Sequence, residues 1–175
     1  IKQLAVSFWK NGKLLRSKIK ECKYYKYTVL RNEVQEYIFD KIETLINRRL
    51  IKGTFENGTE YTIISSLLNI DQKLIRKIQN FDFTKKNPKL IYINTGENII
   101  SFEEAVVIAF LSLIGFDVVF FIPTGYQNIE EYYTQQIIEE HQIGEYVYDL
   151  QIPDFSHISN VSRQPWHKKL FRRGV

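Results

Sequence analysis

Two stretches decide the fold: Lys89-Leu90-Ile91-Tyr92-Ile93-Asn94-Thr95-Gly96-Glu97-Asn98 and Asp117-Val118-Val119-Phe120-Phe121-Ile122-Pro123-Thr124-Gly125-Tyr126-Gln127-Asn128. Each is a short apolar run that ends in a Thr-Gly turn. Continuous apolar runs of this length suit strands covered on both faces. Between them, Ser101-Phe102-Glu103-Glu104 has the pattern of a capping box, in which serine and glutamate satisfy each other's backbone amides. Ala105 to Ile114 is nearly all apolar and reads as a buried helix, with Gly115 as its left-handed stop. Strand, helix and strand in this order make a crossover between parallel strands. The two polar loops then meet at one sheet edge, where open parallel sheets bind ligands.

Towards the C-terminus, Asn128 is placed to cap a further helix with an acidic first turn, Glu130-Glu131. Tyr146 to Ile152 alternates like a strand and predicts a third parallel one. Residues 153–164 read as loop. Pro165 starts a short helix carrying Trp166, Leu170 and Phe171, inside a basic tail that runs from Arg163 to Arg173.

Towards the N-terminus, residues 32–80 read as mostly helical. One pattern starts at Asn32 and runs through Val34, Ile38, Ile42, Leu45 and Ile46, with Gly53 expected to end it. Thr59 and Asp71 are candidate caps for a second and a third helix. Leu4 to Trp9 alternates, and Asn11-Gly12 follows, so a hairpin is expected with a return strand from Lys13 to about Ile19. The fold class is therefore α/β. The expected form is a Rossmann-like three-layer domain with a mostly parallel sheet and a helical N-terminal portion. Residues 1–87 form a hairpin and helical segment packing on the core. Residues 88–175 form the Rossmann-like unit with its basic tail.

The chain of 175 residues is 44% hydrophobic and 25% charged, an ordinary soluble balance. It starts at Ile1 and contains no Met, so it is expected to be the C-terminal part of a longer protein. Cys22 is the single cysteine, which excludes a disulfide framework and a Cys-based zinc site. The apolar run from Ala105 to Ile122 is broken by Ser112, Gly115 and Asp117, so no membrane span is expected. A net charge of +4 permits an anionic partner without requiring one.

Candidate chemistry collects at the two Thr-Gly loops. Thr95, Gly96 and Glu97 on one, and Thr124, Gly125, Tyr126 and Asn128 on the other, are the candidate ligand-binding residues; Gln127 and Asn98 offer further amides. Neither loop continues to a Gly-Lys-Ser/Thr, and each has one glycine only, so neither a nucleotide P-loop nor a dinucleotide fingerprint is present. The glycines are equally well explained as chain reversals, with their polar neighbours capping helices. Glu139-Glu140-His141 lacks a second histidine at helical spacing, so no metal site is expected. No motif names a cofactor or a complete catalytic set, and whether the chain is an enzyme stays open. The Lys/Tyr-rich segment 21–27 and the basic tail have the composition of a nucleic-acid contact, but the acidic helix that follows the former disfavours it.

The run from Phe116 to Glu130, followed by Gln142-Ile143-Gly144-Glu145-Tyr146, resembles the bacterial YceG-like family. The resemblance is strongest over residues 88–152. It implies a cytoplasmic component of a biosynthetic module encoded with tellurium-resistance and general stress genes. It carries over no catalytic residues. Combined with the loop chemistry, the expected function is binding of a small polar metabolite such as a nucleotide or nucleotide-sugar. The alternative is a non-enzymatic scaffold that contacts other proteins of the stress operon.

Overall fold

The computed structural model describes residues 2–80, 87–95, 100–135 and 138–151. Its elements in chain order are α1 (Lys2–Ala5), β1 (Trp9–Lys10), β2 (Lys13–Leu14), α2 (Arg16–Lys20), α3 (Asn32–Asn47), α4 (Thr59–Leu67), α5 (Gln72–Asn80), β3 (Lys89–Ile93), α6 (Phe102–Leu113) and β4 (Asp117–Phe121). Short 3-10 turns lie at Val6–Phe8, Tyr27–Val29 and Ile129–Tyr132. The architecture is mixed helix and strand.

The strand–helix–strand unit forms as its residues dictate. β3 and β4 pair in parallel, Lys89 opposite Asp117 through to Ile93 opposite Phe121. An ion pair between Lys89 Nζ and Asp117 Oδ2 at 2.8 Å closes the first rung of that register. The ladder continues past both strands, with Asp117 N donating to Pro88 O and Asn94 N to Phe121 O, each at 2.9 Å. At the start of α6 the full capping box is present: Glu104 N donates to Ser101 Oγ, and Ser101 N donates to Glu104 Oε2 at 2.9 Å. Gly115 takes φ +103° just beyond the helix, a conformation glycine adopts without a Cβ penalty.

One apolar core runs through the molecule. α3 contributes Ile38, Phe39, Ile42, Leu45 and Ile46, all fully buried, at the 3–4 spacing that puts them on one helix face. α4 adds Ile63, Ile64 and Leu67, and α6 adds Ala105, Val106, Phe110 and Leu111. Leu90, Val118 and Phe120 from the sheet lie against the same cluster. An isolated antiparallel bridge, Ile51 with Tyr133, ties the helical segment to the chain after β4. Lys52 N donates to Tyr132 O at 2.8 Å, and Thr134 N to Leu50 O at 3.1 Å.

Several expectations need correction. Leu4 to Trp9 is not a strand: it is α1, a 3-10 turn and the first residue of a two-residue strand. Ala5 and Phe8 are buried while Leu4 and Val6 are exposed, so the burial follows a period of three rather than two. The Asn11-Gly12 turn does form, with φ of +51° and +76°, but its return strand stops at Leu14 and α2 follows. α3 ends at Asn47, ahead of Gly53. The helix expected after Asn128 is a single 3-10 turn, because the backbone beyond it pairs with residues 50–52. Tyr146 to Gln151 are exposed and form no strand; one bond, Val147 N to Pro123 O at 2.9 Å, holds them beside the loop after β4. The sheet is also covered on one side only. Ile91, Ile93, Val119 and Phe121 are 39–56% exposed on the other face, among the described residues. The expected tail helix and basic tail, and Ile152, lie outside the described residues.

Candidate functional site

A cavity of about 300 Å³ opens where the carboxyl ends of β3 and β4 meet the start of α6. β3 supplies Tyr92, Ile93 and the following Asn94. β4 and its loop supply Phe120, Ile122, Tyr126, Gln127, Asn128 and Ile129, and Ile100 and Glu104 close the helix side. The position follows from parallel pairing, since a crossover helix brings both strand ends and its own N-terminus to one edge.

The floor is aromatic. Tyr92 and Phe120 stand opposite each other in the register, and their rings stack with centroids 5.0 Å apart and planes at 14°. Tyr126 is half-exposed at the mouth, with its ring 6.4 Å from that of Tyr148. The polar groups divide into spent and open ones. Asn128 is buried, and its amide grips both backbone groups of Ile100: Oδ1 accepts from Ile100 N at 3.0 Å and Nδ2 donates to Ile100 O at 3.2 Å. Nδ2 also donates to the Tyr132 hydroxyl, which in turn donates to Ile100 O at 2.9 Å. Gln127 Oε1 accepts from Ile129 N at 2.9 Å, and its NH₂ has no hydrogen-bond partner among the described residues. Glu104 spends Oε2 on Ser101. Burial pushes the Tyr92 phenol up, and the Glu104 carboxylate adds to the shift, so Tyr92 keeps its proton well past neutrality.

Of the sequence-predicted site residues, Tyr126 and Asn128 line the cavity. Thr124 is buried beneath the loop, and its Oγ1 accepts from Tyr126 N at 3.3 Å, shaping the turn. Gly125 has φ +73°, and the Tyr146 ring sits where its side chain would stand. Thr95 is half-buried just past β3 and is not among the lining residues. Gly96 and Glu97 lie outside the described residues. The sequence reading missed Tyr92, Ile100, Phe120 and Glu104. A signal existed for the first and third: each strand has one aromatic residue facing the helix side, at its next-to-last position. Glu104 was legible only as a cap. Among the described residues no three His, Cys, Asp or Glu side chains gather in a way that would hold a metal ion. No described helix is long and apolar enough to cross a membrane.

Three amides at the start of α6 are already occupied: Ser101 N by Glu104, Glu104 N by Ser101, Ile100 N by Asn128. The arrangement suits a flat polar group that stacks on rings and exchanges hydrogen bonds at its edge.

The model of the YceG domain family matches residues 1–165, so this chain belongs to that family. It is similar to "Uncharacterized protein YceG" of Bacillus subtilis (strain 168), at 23% identity over 156 residues. That match covers 87% of this chain and 28% of the relative, so the chain spans less than a third of that protein's length. No solved structure matches it.

Proposed function

We propose that the cavity at the carboxyl ends of β3 and β4 binds a small polar metabolite such as a nucleotide or nucleotide-sugar. In this reading the protein is a cytoplasmic component of a bacterial biosynthetic module that serves stress and tellurium resistance. The parallel strand pair with its crossover helix is the nucleus of a Rossmann-like sheet. One observation carries the reading: a concave site of about 300 Å³ lies at the ligand-binding edge of a parallel sheet, floored by stacked aromatic rings and rimmed by amides. Thr124 and Gly125 shape the loop, and Tyr126 forms its mouth.

A thermal-shift screen against nucleotides, sugar nucleotides and divalent metals tests it. A ligand present at 100 times its Kd adds about 2.7 kcal/mol of stability. The shift is expected to vanish in Tyr126→Ala, a half-exposed position where truncation spares the core. If no small molecule stabilises the protein, the metabolite reading fails.

The second reading, a protein-interaction scaffold for other stress-operon proteins, is favoured by the exposed sheet face of Ile91, Ile93, Val119 and Phe121. Adjacent apolar residues of this size on one face are a recognised mark of contact surfaces. Capture of operon partners that is lost in Ile91→Ser with Phe121→Ser, alongside a silent metabolite screen, would establish it instead.

A further inference from the structure

Resting on the metabolite reading of the cavity, we propose that the part of the ligand it holds is an amino-bearing nucleobase, and that phosphate contributes nothing favourable there. The argument starts from charge. Among the described residues no lysine or arginine lines the cavity, and the one carboxylate that does is Glu104. Three neighbouring backbone amides, those of Ile100, Ser101 and Glu104, are already bonded internally. A phosphate placed here would meet a carboxylate and find no cation, contrary to the arginine, lysine or free helix amides that phosphate sites use.

The open groups match a base edge. Glu104 Oε2 is committed to Ser101, and Oε1 has no hydrogen-bond partner among the described residues, so it accepts from an exocyclic amino group. Gln127 keeps its NH₂ for a ring nitrogen or carbonyl. The Tyr92 hydroxyl stays protonated as a donor. The Tyr92–Phe120 pair and the Tyr126 ring line the cavity with aromatic surface against which a base packs. The volume, at the lower end of the range for ligand pockets, fits a base with its sugar better than a whole sugar nucleotide, whose remainder would extend past Tyr126 into solvent.

Isothermal titration with adenosine, guanosine, cytidine and uridine, and with their 5′-monophosphates, tests this. Amino-bearing nucleosides are expected to bind more tightly than uridine, and their monophosphates no more tightly than the nucleosides themselves. Glu104→Gln keeps a capping-box residue at that helix position, so the fold is preserved. It should narrow the preference over uridine by roughly tenfold, about what one charged hydrogen bond contributes. Tyr126→Ala should weaken all nucleosides together. Monophosphates or sugar nucleotides that bind much more tightly than nucleosides, and lose binding in Tyr126→Ala, would overturn this proposal while leaving the metabolite reading standing. Absence of binding by every probe would overturn both.

Discussion

Asn128 shows how a residue's role depends on what its polar atoms have already met. At the start of a helix-like pattern an asparagine reads as a cap or a ligand group. Its amide instead holds both backbone groups of Ile100 and one phenol, fastening the β4 loop to the start of α6. Truncation would leave the part-buried Ile100 N–H without its partner, while Ile100 O keeps the Tyr132 hydroxyl, and such a loss costs about 1–3 kcal/mol. Asn128→Ala is therefore expected to lower stability by roughly 1–3 kcal/mol, read as a fall in the urea midpoint at unchanged slope. A change under half a kcal/mol would mean that water replaces the clamp. A second residue-scale device lies far from the cavity. Glu36 is gripped by Lys20 at 2.6 Å and by Arg16 at 2.7 Å, and Lys20 first, then Arg16, holds its carboxyl below the ordinary 4.5. A carboxyl whose folded pKa is depressed stabilises the fold above its unfolded pKa, and that contribution is lost as pH falls through the folded value. The pair is partly exposed, so solvent screening keeps it below about 1 kcal/mol. Lys20→Gln should thus destabilise modestly at pH 7, and the gap from the native chain should shrink below pH 4.5. A gap that widens on acidification would contradict the assignment.

At the scale of elements, the loop after β4 is set by Gly125. Its φ of +73° is costly for any residue with a Cβ, and that Cβ would lie 2.4 Å from Tyr146 Cε1. Tyr146 is half-exposed, so its ring can swing away, whereas the backbone cannot relax without moving Tyr126. Gly125→Ala is expected to cost about 1–2 kcal/mol from the left-handed backbone and to displace the 146–148 segment. Adding Tyr146→Ala should remove the steric share and leave the backbone share, which a double-mutant cycle measures. α6 behaves as its residues predict at both ends, because capping boxes and glycine stops act locally. The 3-10 turn after Asn128 does not, because Ile51, Lys52 and Leu50 compete successfully for its backbone groups.

At the scale of the whole molecule, a single apolar core joins α3, α4 and α6, with the sheet leaning on it. Phe110 is fully buried within that cluster. Phe110→Ala is expected to destabilise by about 3–5 kcal/mol and to raise amide exchange in α3 as much as in β3 and β4, since one cooperative unit opens together. Faster exchange confined to the sheet would show instead that the helical segment folds independently. The exposed sheet face is the other whole-molecule feature. The apolar runs in β3 and β4 read as strands buried on both faces, yet α6 covers one face only.

The sequence by itself determined what depends on near neighbours: the parallel strand–helix–strand unit, its capping box and glycine stop, the Asn11-Gly12 turn, the helical 32–80 segment, and a polar edge at the ends of two strands. Each rests on spacing of apolar residues or on backbone chemistry within a few positions. Only the tertiary structure decided which polar groups at that edge are open. Asn128 is closed because Ile100 lies 28 residues away in sequence and within hydrogen-bond reach in space. Glu104 enters the cavity because the crossover helix starts beside the strand ends, and Tyr92 meets Phe120 because the register sets them opposite. Whether a side chain binds a ligand or binds its own fold is a question of which partners arrive first, and those partners come from distant parts of the chain.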